Sequence, residues 1–400
     1  MSQERNRTAT TSSPTALRLP PRGPGAFTLD PSWDFLNHGS FGACPSVVRE
    51  AQRRVNDELE AQPVRFLVRE LPERLAALRG RFGAWLGADP DGLCFVPNAT
   101  TAVAAALAAA PLRPGDRILT TTHRYNAVRR AIDVVAAERG AVIDEAPLPA
   151  RVQGPGELLA AVFAAVRPET RLLVVDQITS PTALRLPVEA ICAEARARGL
   201  LTLIDGAHAP GHVPVDLGAM GPDWWLGNLH KWLCAPRGAA LLWVGPAHRA
   251  TTHHPVPSHG RDLGLHQEFD WPGTFDPSAW LAAEAALDLH EAWGGRALMD
   301  DHAALAAAAR AVLAEALGVE PPVADHPDLR CAMAALPLAL PPEAALPLHL
   351  ALHAERFELP VQGVLGGCWL RVSAFAAYNR LDQYQRLAAV LPRLIASLQV

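Results

Sequence analysis

The sequence predicts an α/β fold: a mostly parallel sheet with helices on both faces, followed by a smaller C-terminal α+β domain. Three observations predict it. Short β-rich runs alternate with helical stretches through the middle of the chain. The runs are nearly continuous in apolar residues, as strands buried on both faces are. From about Ala282 the texture changes to long alanine- and leucine-rich helices. A length of 400 residues accommodates two or three domains and a large core.

In chain order, LCFVP (93–97) reads as a strand, and the helix TAVAAALAAA follows it. Arg117–Thr122 reads as a strand and Val128–Arg139 as an amphipathic helix. Leu172–Ile178 is an apolar strand, and the helix Val188–Arg198 closes at Gly199. Leu201–Ile204 and Gly238–Val244 are further strands. A proline-rich connection near Pro337–Pro347 and a final helix after Tyr378 complete the reading. The implied division is a disordered leader over 1–30, a large domain over 31–285 and a small domain over 286–400. In such sheets ligands sit at the carboxyl ends of the strands, where the polar residues of this chain fall.

Composition excludes several function classes. The chain is 50% hydrophobic and 19% charged, with a net charge of -5 and a pI near 6.3. Nothing there favours nucleic acid or an anionic membrane surface as partner. No apolar run reaches the roughly 18 residues of a membrane helix. The polar start MSQERNRTATTSSPT lacks an apolar signal region, so the expected location is cytoplasmic. The cysteines (Cys44, Cys94, Cys192, Cys234, Cys331, Cys368) form no CxxC pair and read as reduced core thiols.

Basic residues are 36 in number, and a single one, Lys231, is lysine; the other 35 are arginine. Arginine serves well in ion pairs but cannot lose its proton and form an imine with a carbonyl. Lys231 lies in GNLHKWLCAPRG, and Asp205 ends a strand 26 residues earlier, followed by GAHAPG. A strand-end aspartate can pair with a protonated pyridine nitrogen while a nearby lysine binds an aldehyde on the same ring. Asn98-Ala99-Thr100-Thr101 opens a helix, which suits a phosphate as well as a simple N-cap. His123 ends a strand and could stack on a ring; His208 could donate to a phenolic oxygen. Arg371 sits inside the apolar run CWLRVSAF and needs a carboxylate, from substrate or from a protein acid such as Glu355 or Glu358.

These motifs, with LNHGSFGACP (36–45), PNAT (97–100) and ITSPTA (178–183), resemble the class V aminotransferase superfamily of pyridoxal phosphate enzymes, and within it isopenicillin N epimerase and its relatives. The resemblance spans about Phe35 to Leu387. It implies a fold type I large domain with a seven-stranded, mostly parallel sheet. It implies pyridoxal 5'-phosphate bound as an imine on Lys231, with Asp205 on the pyridine nitrogen, His123 stacked on the ring and His208 at the phenolic oxygen. Tyr125, in the same HRYN segment, is the alternative stacking residue. Ala99, Thr100, Asn228 and His230 would hold the phosphate. Thr274, in WPGTFDP, would reach it from a neighbouring subunit, implying a homodimer with shared sites. Arg371 would bind the substrate carboxylate, and Asn37 and His38 would cover the substrate.

The implied activity is Cα-proton abstraction from an amino acid or amino-acid derivative, ending in epimerisation. C–S lyase, cysteine desulfurase-type and aminotransferase outcomes are alternatives, as is a non-catalytic cofactor-binding module. AERFELPVQGVLGG, before Arg371, holds no cysteine, which disfavours persulfide chemistry. Histidines 253, 254, 259 and 266 lack helical metal-ligand spacing, so no metal is expected.

Overall fold

The computed structural model describes residues 18–398. A two-residue strand, β1 (Asp34–Phe35), comes first. The central sheet is built from β2 (Leu93–Val96), β3 (Arg117–Thr121), β4 (Val142–Ala146), β5 (Thr170–Asp176), β6 (Leu201–Asp205), β7 (Trp224–Asn228) and β8 (Ala240–Val244). Their order is β2-β8-β7-β6-β5-β3-β4. Strands β4, β3, β5, β6 and β7 are parallel neighbours, while β8 runs antiparallel between β7 and β2. This is the expected seven-stranded, mostly parallel sheet.

The predicted elements fall within one or two residues of those observed, since buried strands carry continuous apolar runs. Every residue of β7 and β8 is buried. Two strands carried no such signal. The edge strand β4 reads VIDEA; its Asp144 takes a bidentate pair from Arg117 and its outer residues face water. In β7 the run WWLGN is only five residues long and ends in glycine and asparagine.

The second core gathers on β9 (Met333–Leu338), β10 (Phe357–Glu358), β11 (Val361–Val364) and β12 (Gly367–Ser373). Strands β11, β12 and β9 form an antiparallel sheet in that order. Helices Arg296–Leu317 and Leu381–Ala396 pack with it around Leu313, Leu336, Leu348, Leu370 and Tyr384. The expected proline-rich connection near Pro337–Pro347 is instead the end of β9, a 3-10 turn and the start of helix Ala345–Ala354. Pro337 is tolerated because β9 is an edge strand.

The N-terminal segment belongs partly to this second core. Strand β1 pairs with β10, and Leu36 is fully buried there. Residues 1–17 of the expected leader lie outside the described residues. Residues 18–30 are packed, which corrects that part of the expectation. The Trp293 indole donates to the Pro20 carbonyl at 3.0 Å, and Arg22 pairs with Asp301 at 2.5 Å. Phe27 packs against Trp293, Phe375 and Tyr378 at ring centroid separations of 5.9, 6.0 and 5.0 Å. A hydrophobic residue followed by glycine and proline gave no periodic signal there.

Phe27→Ala is expected to cost about 3 kcal/mol of stability, the usual scale for emptying a buried phenylalanine site. Urea unfolding measures it. A loss under about 0.5 kcal/mol would show that the segment adds only surface contact.

Candidate active site

The carboxyl ends of β5, β6 and β7 open on a cavity of about 150 Å³. Its wall includes Thr100, Tyr125, Asp176, Ser180, Asp205, His208, Asn228, His230 and Lys231. Six of the sequence-predicted residues are thus brought together with Ala99, which also lines the wall. No helix among the described residues is long and apolar enough to cross a membrane.

Lys231 sits in the turn between β7 and β8, held by backbone approaches that only glycine permits. At Gly42 (φ 66°) a Cβ would overlap the His230 carbonyl oxygen, and at Gly211 (φ 77°) it would lie 2.6 Å from the Trp232 carbonyl oxygen. These contacts explain the glycines in GSFGACP and DGAHAPG. Burial pulls the Lys231 ammonium down to about 8, with Arg371 adding to the effect and Asp205 and Asp176 opposing it. The hydrogen bonds agree. The Trp232 indole, which can only donate, reaches His208 Nδ1 at 3.4 Å. His208 therefore carries its proton on Nε2, which faces Lys231 Nζ at 3.3 Å, so the free amine accepts. Burial, with Lys231 second, holds His208 well below the ordinary imidazole range.

Asp205 is buried and accepts the Ala207 N–H at 2.9 Å. Burial raises its pKa, with Ala207 and Lys231 working against the rise. At the helix Ala99–Ala109, Asn98 caps by accepting the Thr101 N–H at 2.9 Å. The Ala99 N–H donates to Asn228 Oδ1 at 3.0 Å, so Asn228 positions the helix start. Thr100, exposed to the cavity in the first turn, keeps an N–H with no intrahelical acceptor. His230 donates from Nδ1 to the Ala239 carbonyl at 3.4 Å, which leaves Nε2 free. An oxyanion fits this cradle.

Arg371 is buried, and its guanidinium meets no carboxylate among the described residues. Its NH1 donates to the Ser180 carbonyl at 2.7 Å and to Ser180 Oγ at 3.1 Å, and its NH2 donates to Ser40 Oγ at 3.0 Å. The buried Nε has no partner. Glu355 pairs with Arg393, and Glu358 accepts from Asn37, so neither protein acid neutralises it. Burial lowers the Arg371 pKa to about 10. A desolvated fork with no carboxylate partner suits a carboxylate ligand.

Three sequence expectations change. His123 is buried with Nδ1 on Thr182 Oγ1 at 2.7 Å and does not line the cavity; Tyr125 does. His38 is fully buried rather than over the substrate. It donates from Nε2 to the Lys231 carbonyl at 3.0 Å and accepts the Tyr378 hydroxyl at Nδ1, 2.7 Å away. Asn37 sits behind Ser40, accepting its hydroxyl at 2.6 Å, and Ser40 and Phe41 form the wall instead. Thr274 is exposed and lies outside its own chain's cavity, as a residue that serves a neighbouring subunit would. Asp176, Ser40 and Ser180 were missed. Asp176 ends a strand as Asp205 does, and that shared position was the available signal. His253 binds Glu268 Oε1 at 2.8 Å, and that carboxylate also accepts the N–H groups of His254 and Asp262.

The Aminotransferase class-V family model matches residues 41–335. The chain is 34% identical over 387 residues to an isopenicillin N epimerase of Amycolatopsis lactamdurans, covering 92% of this chain and 96% of that one. It is 30% identical over 269 residues to an L-cysteine desulfhydrase of Arabidopsis thaliana, covering 63% and 59%. Among solved structures, the cystine C–S lyase C-DES in complex with cysteine persulfide superposes with a TM-score of 0.76 at 21% identity, covering 90% of this chain and 97% of that one. The cysteine desulfurase CsdA of Escherichia coli gives 0.75 at 21%, covering 93% and 97%. The buried free amine, the strand-end acid and the oxyanion cradle are those of a pyridoxal phosphate site, and the chain belongs to the class V aminotransferase family of pyridoxal phosphate enzymes.

Proposed function

We propose that this enzyme binds the α-carboxylate of an amino acid at Arg371 and uses Lys231 to remove and return its Cα proton, an epimerase-type reaction. The observation that carries it is the Arg371 guanidinium, which has no carboxylate partner, bonds the cavity-wall residues Ser180 and Ser40, and is close enough to Lys231 to lower its pKa. Pyridoxal phosphate, when bound, supplies an aldehyde that takes up an amine and a pyridinium ring that draws electrons from Cα. Asp205 would keep that ring nitrogen protonated, and Tyr125 would cover a ring face. Thr100 and His230 would hold the phosphate. His208 Nε2–H, which faces Lys231 Nζ, would donate to the phenolic oxygen, and His38 fixes the Lys231 backbone. The free-base amine is the form that abstracts a proton.

No reactive thiol supports a desulfurase reading. Cys368 is fully buried in β12, where it pairs with Gly363 and Leu338. Burial pushes Cys44 up to about 12. C–S lyase chemistry is the second reading, favoured by the similarity to the desulfhydrase. Incubation in deuterated water separates the two. Inversion of D- and L-amino acids with deuterium gained at Cα is expected; release of sulfide and pyruvate from L-cysteine without inversion would overturn the epimerase reading.

Arg371→Leu should raise the apparent KM for amino acids by roughly thirty- to several-thousand-fold, the loss of one charged pair of about 2–5 kcal/mol. Because the guanidinium is buried without a counter-ion, cofactor-free protein should be as stable or more stable in the variant. A fall in stability with unchanged KM would assign Arg371 to the fold alone.

A homodimer with shared sites is the assembly we infer. Thr274 is exposed beside Gly273 (φ 127°), where an added Cβ would meet nothing within 4 Å. Trp271, three residues before Thr274, lines a cleft of about 610 Å³ with one apolar wall, Leu67, Val68, Leu71 and Pro72, and polar residues that include the Arg79–Asp270 pair. Sedimentation should give twice the chain mass, and Val68→Asp should yield monomers with reduced cofactor occupancy. Monomeric parent protein with full occupancy would refute the shared site.

A further inference from the structure

A second carboxyl group stands beside Asp205 with no assigned task. Asp176 ends β5 as Asp205 ends β6, and the two are register partners in the parallel ladder. Residues directly opposite in a ladder project to the same face, so both carboxyls enter the same cavity wall. They are 4% and 5% exposed. Neither has an ion-pair partner within hydrogen-bonding reach among the described residues. The charges facing them are few. Lys231 lines the same cavity, Arg371 is close enough to act on Lys231, and His208 and His230 are held neutral by burial. From the β3 side comes Arg124, whose guanidinium is committed to the Thr121 carbonyl and Glu145. Next to it the Tyr125 backbone N–H meets the Asp176 carboxyl.

Two adjacent buried carboxyls do not both ionise. Asp205 accepts the Ala207 N–H at 2.9 Å, so the negative charge is assigned there. We propose that Asp176 and Asp205 share one proton, held on Asp176, which donates it to the Asp205 carboxylate and so acts as a positioning residue for whatever Asp205 binds. Burial and Asp205 together raise the Asp176 pKa well above the ordinary range, in keeping with that placement. The role toward the cofactor rests on the reading that Asp205 faces the pyridine nitrogen; the shared proton itself does not.

The infrared spectrum of the full-length, cofactor-free chain near neutral pH tests the proton directly. The parent should show the carbonyl band of a buried carboxylic acid, and both Asp176→Asn and Asp205→Asn should lack it. A parent without the band overturns the proposal, as does a band that survives in Asp205→Asn, since burial alone would then protonate Asp176. Stability gives a second sign. An acid with a raised folded-state pKa binds its proton more tightly in the folded protein, so it stabilises at acid pH and that gain is lost as pH rises through the folded value. Asp176→Asn should flatten this slope; an unchanged slope counts against the pair.

Pyridoxal phosphate affinity tests the positioning role. Asparagine keeps a donor, so Asp176→Asn should stay within about threefold of the parent. Asp176→Leu should lose roughly tenfold or more, the cost of one hydrogen bond to a charged group. Asparagine behaving like leucine, or leucine like the parent, overturns the role. If Asp205→Asn binds the cofactor as the parent does, the pyridine reading fails, and the infrared result stands or falls separately.

Discussion

The site depends on one constraint, the fixed path of the turn that carries Lys231. Backbone from two distant motifs presses on it at Gly42 and Gly211, too closely for any side chain. His38 adds a hydrogen bond to the Lys231 carbonyl, and Tyr378 sets the tautomer that allows it. Phe375 stacks on the His38 ring with centroids 4.0 Å apart, and Phe27 covers Phe375 and Tyr378. The N-terminal segment and the chain near the C-terminus thus converge beneath one peptide. His38 stays neutral because burial pulls it down to about 3, so this support carries no charge under the lysine.

Above that turn the problem is charge. Lys231, Arg371, Asp205 and Asp176 share one poorly hydrated region, where each charged form is costly unless another offsets it. Burial does most to lower the amine's pKa, and the guanidinium, which never yields its proton at working pH, adds to the fall. An arriving carboxylate would neutralise Arg371 and weaken that pressure on Lys231. On the reading that Arg371 binds the substrate carboxylate, substrate binding and the basicity of the lysine would be linked through a single cation.

The sequence revealed the sheet wherever strands are buried on both faces, because there the apolar run is the signal. It concealed β4, which spends Asp144 and Glu145 on arginines at an open edge. Lys231, Asp205, His208 and Arg371 were legible because each is an unusual residue type for its surroundings. His38 and His123 were misplaced, since a motif gives a residue's position along the chain but not the direction of its ring. His123 turned toward Thr182 because ITSPTA folds into a turn in which Thr179 and Thr182 bond each other at 2.8 Å. That same turn presents Ser180 to Arg371, a contact between residues 191 positions apart that no local pattern encodes.

The lysine-poor composition fits this division of labour. Arginine builds the ion pairs that hold elements together, as in Arg79–Asp270, Arg117–Asp144 and Arg386–Asp34. Those pairs need a permanent charge and a planar fork, which arginine has and lysine lacks. Lys231 forms no ion pair within that geometry and instead faces an imidazole N–H. Its task needs the one property arginine lacks, a nitrogen that loses its proton near neutral pH and can then make or accept a bond. A chain can replace every other lysine with arginine and remain folded; at position 231 the same exchange would install a permanent charge and remove the chemistry proposed for the amine.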